Sequence, residues 1–326
     1  LDLEPVGSGM YRVVEYVRDA RIVYERFEDY WDPDAAAAAR LEFNIIQDNV
    51  AAFNALRGGQ TDHALILPSQ IDEAEAAGFN VATGLTLNLH HIQLNRTRPF
   101  LDDVNVRRAM SMAIDRDGMV AGVLLGTGAS TSQPFPRGYW GHDPSIEIPP
   151  FDPDTARQML QDAGVPEGHT FEMIVPNTNV YPALAQVAKD NLDAVGLNIE
   201  IRIVDSVQTA PIFYGQADGD ILMSVFGGRT DPAQHFPLLY TDGPLPNPGG
   251  HTWPALLEVI PDVLQPGTPE ERAEAVHAAS RIVSEDAVNI ILHHPAGVFA
   301  FTDEVVGNQQ WLIGRPEYRG LGIAAG

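Results

Sequence analysis

Arg229 and Asp231 place a cation and an anion two residues apart, directly after Gly227-Gly228. Opposite charges presented by a glycine turn can take a charged ligand group through charge-assisted hydrogen bonds, because glycine lets a ligand or a second backbone approach closely. Asp231 also precedes Pro232, so it reads equally as the N-cap of a short helix with Arg229 solvated beside it. The second candidate set is two histidine pairs, His90-His91 and His293-His294. Imidazoles brought together can hold a metal ion or titrate near neutral pH. Both pairs fall in strand-like runs, where neighbours point to opposite faces, so at most one histidine of each pair can converge. The competing reading is packing and hydrogen bonding.

No H-E-x-x-H, G-x-x-x-x-G-K-[ST] or G-x-S-x-G motif occurs. Paired carboxylates are common, but in so acidic a chain they carry no signal. The expectation is a protein that is not an enzyme, with no cofactor and no resident metal.

Residues 219–240, GDILMSVFGGRTDPAQHFPLLY, must position Arg229 and Asp231. The short apolar run ending in Phe226 predicts a buried strand, and Asp231-Pro232 starts a helix that Pro237 must bend or shorten. Ligands of open α/β sheets settle beyond the carboxyl ends of strands, where this pair lies. Upstream, a strand over 170–175, a helix over 181–195, a strand over 199–204 and a short helix to Tyr214 feed this turn as two βα units. A strand over 85–96 carries His90-His91, and a strand over 288–292 leads into His293-His294.

The rest of the chain is punctuated by cap chemistry. Asp48, Asp102 or Asp103, and Asp152 with Pro153 open helices, and Thr268-Pro269-Glu270-Glu271 forms a capping box. The helix after Asp103 has an apolar face of Val104, Ala109, Met110, Met112 and Ala113, and Arg107 and Arg108 on it are expected to form surface ion pairs. The β-α-β-α order over 41–77 predicts parallel pairing. Residues 126–152 and 241–252 read as loops rich in glycine and proline.

The chain has 326 residues and no cysteine, with 20 basic against 44 acidic side chains, a formal charge of −24. Length predicts about two domains. Such a charge repels phosphate backbones and anionic lipid, so a nucleic-acid partner is not expected. Absent cysteine excludes disulfides, thiolate metal sites and thiol nucleophiles. No apolar run approaches the ~18 residues of a membrane span, and no signal-peptide pattern opens the chain.

Several strings together resemble the family 5 extracellular solute receptors of ABC importers, the dipeptide- and oligopeptide-binding proteins. Gly7-Ser8-Gly9-Met10-Tyr11, two strands and Asp29-Tyr30-Trp31 are similar to a family block, with Met10 where proline is usual. Asn95, then Pro99-Phe100-Leu101-Asp102-Asp103-Val104, Val106-Arg107, Ala109 and Ala113-Ile114-Asp115-Arg116-Asp117 resemble its most diagnostic segment, with Asn105 where a basic residue is common. The strand-Gly-Gly-Arg-Thr-Asp-Pro turn and Leu292-His293-His294-Pro295 also match, His293 replacing a tyrosine.

The resemblance implies an α/β, two-lobed, type II periplasmic-binding-protein-like fold, with mixed sheets flanked by helices. Lobe I would take residues 1–88, lobe II 89–292, and 293–326 would return to lobe I. It implies that roughly the first third of a family member is missing, so that lobe I is incomplete. It also implies a monomeric extracytoplasmic or periplasmic receptor that captures a peptide or similar zwitterion in an interlobe cleft and passes it to an ABC transporter permease. Asp231 would receive the ligand's amino group. The residues themselves add Arg229 as a partner for a carboxylate on the same ligand, a task the family more often places elsewhere, and Phe226, Gly227, Gly228 and His293 as further site candidates. The alternatives are a nickel-type metal-chelate or glycan receptor of the same fold and, from another class, a metal-dependent hydrolase using the histidines.

Overall fold

Helix caps and strand alternation build the chain into two compact units: residues up to Gly84 together with those from Gly297 onward, and Leu85–Ala296. The computed structural model describes residues 6–178, 180–241 and 253–324. Most of the loop expected over 241–252 lies outside the described residues.

The first unit opens with a hairpin, β1 (Tyr11–Val17) and β2 (Arg21–Arg26), which β3 (Arg40–Asn44) extends in antiparallel fashion. Asp19, at φ 56°, makes the hairpin turn; aspartate tolerates this left-handed region better than most residues. Next come α1 (Asn49–Arg57), β4 (His63–Leu65), α2 (Ile71–Ala76) and β5 (Asn80–Leu85). Asp48 caps α1 by accepting from the Ala51 N–H at 2.8 Å. The parallel pairing expected here does not occur: β3 lies against β2, and β4 runs antiparallel to the far end of the last long strand. A partner from a distant part of the chain overrides the local order of elements.

The second unit runs through β6 (Leu89–Leu94), α3 (Val104–Met112), α4 (Arg116–Val123), β7 (Gly128–Ser130), α5 (Pro153–Asp162), β8 (His169–Pro176), α6 (Tyr181–Asp193) and β9 (Leu197–Val204). It continues with α7 (Ser206–Ala210), β10 (Ile221–Phe226), α8 (His235–Tyr240), α9 (Pro254–Val263), α10 (Pro269–Glu285) and β11 (Ile290–Phe301). β11 leaves this unit at Ala296 and enters the first, where Phe299–Phe301 pair with β4. Short ribbons end the chain: β12 (Val305–Val306) with β15 (Gly322–Ile323), and β13 (Gln309–Trp311) with β14 (Arg315–Glu317).

Two strands differ from their expected bounds. The run read as one strand over 85–96 divides into β5 and β6. Between them Thr86 donates its N–H to Pro295 O at 3.2 Å and accepts from the Asn88 N–H at 3.1 Å, which interrupts the ladder. β11 is twelve residues long, well beyond the expected Leu292.

The second unit's mixed sheet places β10 at its centre, parallel to β8 and antiparallel to β6, with β8 parallel to β9 and the first half of β11 antiparallel to β6. Both faces are covered. Ile92, Leu94, Met173, Ile221, Met223 and Ile290 pack with α3, α5 and α6. Leu89, Phe226 and Ile291 pack with α8, α9 and α10. All six residues of β6 are therefore buried, and each large apolar side chain so placed contributes about 1.5–3 kcal/mol.

The helix expected after Asp103 forms as α3, and a second helix follows it. Asp115 accepts from the Gly118 N–H at 2.8 Å and caps α4, so α3 must stop before it. The ion-pair expectation for α3 divides likewise. Arg108 pairs with Asp286 at 3.2 Å on the surface. Arg107 is instead wholly buried, with its guanidinium donating to the carbonyls of Leu101, Asp102, Asp286 and Ala287. Asp286 is the C-cap of α10 and Ala287 follows it, so the guanidinium sits at the negative dipole end of that helix, which suits a cation.

Candidate ligand-binding site

β10 ends in Phe226, buried between the sheet and α8, with its ring centroid 4.5 Å from that of His235. The two glycines that follow have different reasons. Neither has a positive φ. A Cβ on Gly228 would lie 2.4 Å from Leu87 Cβ and 2.5 Å from the Leu87 carbonyl, so a second backbone occupies the space a side chain would need. Its N–H donates to Asn88 Oδ1 at 3.0 Å. Gly227 is exposed and meets only Arg229 Nη1, at 3.7 Å from its would-be Cβ.

Arg229 is exposed and folds back on the turn. Its Nη1 donates to Gly227 O at 2.8 Å and Gly228 O at 3.3 Å, and its guanidinium lies 5.6 Å from the Phe226 ring centroid. Asp231 caps the short turn Pro232–Gln234 through Ala233 N–H at 3.0 Å. Its carboxylate also accepts from Arg272 Nη2, at 2.7 Å on Oδ1 and 3.0 Å on Oδ2, with 42% of its side chain exposed. Arg272 comes from the first turn of α10 and lies 5.1 Å from the Trp140 ring centroid. Tyr139 donates its hydroxyl to Thr230 O at 2.6 Å. The arrangement is a half-exposed carboxylate at the carboxyl end of the central strand, edged by two arginines and an aromatic pair. Chemically it can accept hydrogen bonds from a cation.

The structure thus brings Asp231, Arg229, Phe226, Gly227 and Gly228 together. His293 lies elsewhere, fully buried, sharing a 2.7 Å hydrogen bond with His90 on the sheet face that α6 covers, where the His90 and Tyr181 ring centroids are 5.4 Å apart. A bulge in β11 between Ile291 and His293 sets this pairing: it turns His293 to the face of His90 and leaves His294 on the opposite one. There His294 Nδ1 bonds to Asn88 O at 2.9 Å, and His91 bonds to Asn289. Burial pushes His90, His91 and His235 down to about 3 and His294 to about 4, and holds His293 well below the ordinary histidine value. All five are neutral near pH 7. Among the described residues no group of three histidine, aspartate or glutamate side chains is arranged to hold a metal ion.

Sequence reading did not assign Arg272, Trp140 or Tyr139 to the site. Only Arg272 carried a signal: a cation in a helical first turn that is otherwise acidic, with Glu270 and Glu271.

Comparison with known proteins agrees with the architecture. The chain is 26% identical to heme-binding protein A of Haemophilus influenzae over 99% of its length and 60% of that protein's. It is 23% identical to the dipeptide-binding protein of Escherichia coli, covering 99% of this chain and 62% of the relative. The chain thus spans about three-fifths of the length of these relatives. Among solved structures, the ABC transporter-associated periplasmic binding protein DppA from Helicobacter pylori, in complex with the peptide STSA, superposes with a TM-score of 0.84 at 19% identity, over 99% of this chain and 64% of its own. NikZ from Campylobacter jejuni, in complex with Ni(L-His), gives 0.83 at 19% identity, over 93% and 64%. These likenesses establish the type II binding-protein fold. The family model for the middle part of the bacterial extracellular solute-binding proteins, family 5, matches residues 1–245, and the chain belongs to that family.

Proposed function

We propose that this chain forms the ligand-holding part of an extracytoplasmic receptor that captures a peptide or similar small zwitterion and delivers it to an ABC permease. The observation that carries this reading is the half-exposed Asp231 carboxylate at the carboxyl end of β10, the position at which family resemblance puts the acceptor of a ligand's amino group. Arg229, exposed beside it, offers a cation for the ligand's other end. Relatives described as dipeptide-binding and di/tripeptide-binding proteins support peptide as the ligand class. In this reading Leu85–Ala296 is lobe II and the other unit belongs to lobe I. In this reading the receptor works as a monomer and without catalysis, and a formal charge of −24 keeps it from nucleic acid. Among the described residues no helix is long and apolar enough to cross a membrane.

Asp231→Asn tests the reading. Asparagine caps a helix about as well as aspartate, and the surface pair with Arg272 contributes at most about 1 kcal/mol. Stability should therefore stay nearly constant. A bound ligand desolvates the carboxylate it covers, and an ammonium then left without it loses about 2–5 kcal/mol, which is well over tenfold in affinity. Calorimetric titration with alanyl-alanine should show that loss; unchanged affinity in a destabilised protein would make Asp231 a structural cap only.

The metal-chelate alternative makes a separate expectation. Titration with Zn²⁺ or Ni²⁺ should give only loose uptake, and a stoichiometric site lost on mutating His91 or His293 would favour that alternative instead.

A further inference from the structure

The Asp231 carboxylate already has a cation. Arg272 Nη2 reaches both of its oxygens, and Oδ1 also accepts the capping N–H of Ala233. Three features separate this bridge from an architectural one. It is wet, with 31% of Arg272 and 42% of Asp231 exposed, so water can replace either partner. It is not needed for α10, whose first turn carries its own capping box of Thr268 and Glu271 and whose positive dipole end disfavours a cation there. And Arg272 has another seat, since its guanidinium already lies 5.1 Å from the Trp140 ring centroid, where cation–π attraction can hold it.

We infer that Arg272 is a specificity-determining residue: its guanidinium sits on the carboxylate assigned to the ligand's ammonium, so binding is an exchange of one cation for another. The inference rests on the reading of Asp231 given above. Exchange has two consequences. A ligand whose amine is blocked cannot displace Arg272 and gains nothing from the site. A ligand with a free amine binds more weakly than a bare carboxylate would allow, and with little dependence on salt, because one ion pair replaces another.

The test is calorimetry of the 326-residue chain with alanyl-alanine and N-acetyl-alanyl-alanine at low and high salt. Arg272→Gln should bind alanyl-alanine about three- to fivefold more tightly at low salt, as expected for freeing one surface ion pair. The gain should shrink at high salt and be absent for the acetylated peptide. Arg272→Lys, which keeps the charge but not the planar fork, should fall between Arg272→Gln and the parent, and it decides the matter if the glutamine variant fails to fold. Alanyl-alanine affinity that is unchanged or weakened in both variants overturns the exchange. Asp231→Asn separates the two failures. If it abolishes binding while the Arg272 variants bind as the parent does, only the exchange falls. If it leaves affinity unchanged, or if no protein binds either peptide, the assignment of the ammonium to Asp231 falls and takes the exchange with it.

Discussion

Replacing Arg107 with methionine should cost far more than its place on a helix surface pattern suggests. The side chain is fully buried, and its guanidinium serves four backbone carbonyls, those of Leu101, Asp102, Asp286 and Ala287. These hydrogen bonds run at 2.8–3.3 Å, and the guanidinium also lies 4.6 Å from the Trp253 ring centroid. Each hydrogen bond to a charged group contributes about 1.5–3 kcal/mol, and each buried carbonyl left unsatisfied costs about 1–3 kcal/mol. Burial lowers the Arg107 pKa to about 10, so the guanidinium stays charged at neutral pH but has lost its hydration. That loss offsets part of what the bonds contribute, and the net cost of removing the side chain should be about 3–5 kcal/mol, as expected when several buried carbonyls are left unsatisfied at about 1–3 kcal/mol each. Urea unfolding followed by circular dichroism reads it directly as a fall in the midpoint. Arg107→Lys should recover part of the loss, because one ammonium can serve some of the carbonyls but not all. A methionine variant within about 1 kcal/mol of the parent would refute the reasoning and return Arg107 to the surface role expected from its sequence.

Close contact and burial make two more positions testable. Gly228→Ala should destabilise the protein by about 1–3 kcal/mol, since its methyl meets the Leu87 backbone; thermal unfolding checks it, and an unshifted midpoint would mean the turn relaxes freely. The buried histidines should make the fold acid-labile: their folded pKa values lie at about 3 to 4, below an unfolded value near 6.5, so between those limits the unfolded chain binds protons that the folded chain does not. Stability is then complete above about pH 6.5 and is lost as pH falls, by up to about 1.4 kcal/mol per pH unit for each histidine; a thermal midpoint that is flat from neutral pH to about pH 5 would contradict it.

The ends of elements were legible in the residues alone. Asp48, Asp152 and Thr268 cap α1, α5 and α10 because a cap needs only a side-chain oxygen and an N–H two or three residues on. The run from Ile221 to Phe226 forms the central strand, and Asp231 caps the turn after it, for the same reason of short range. Contacts with partners far away in the chain had to wait for the folded molecule. Arg272 reaches Asp231 across 41 residues, and Arg107 reaches the end of α10 across 179. A single bulge in β11 decides that His293 meets His90, while His294 turns to the other face. Strand alternation limits which histidines can converge, but a bulge shifts the register by one residue, and its position is set by packing on both faces of the sheet.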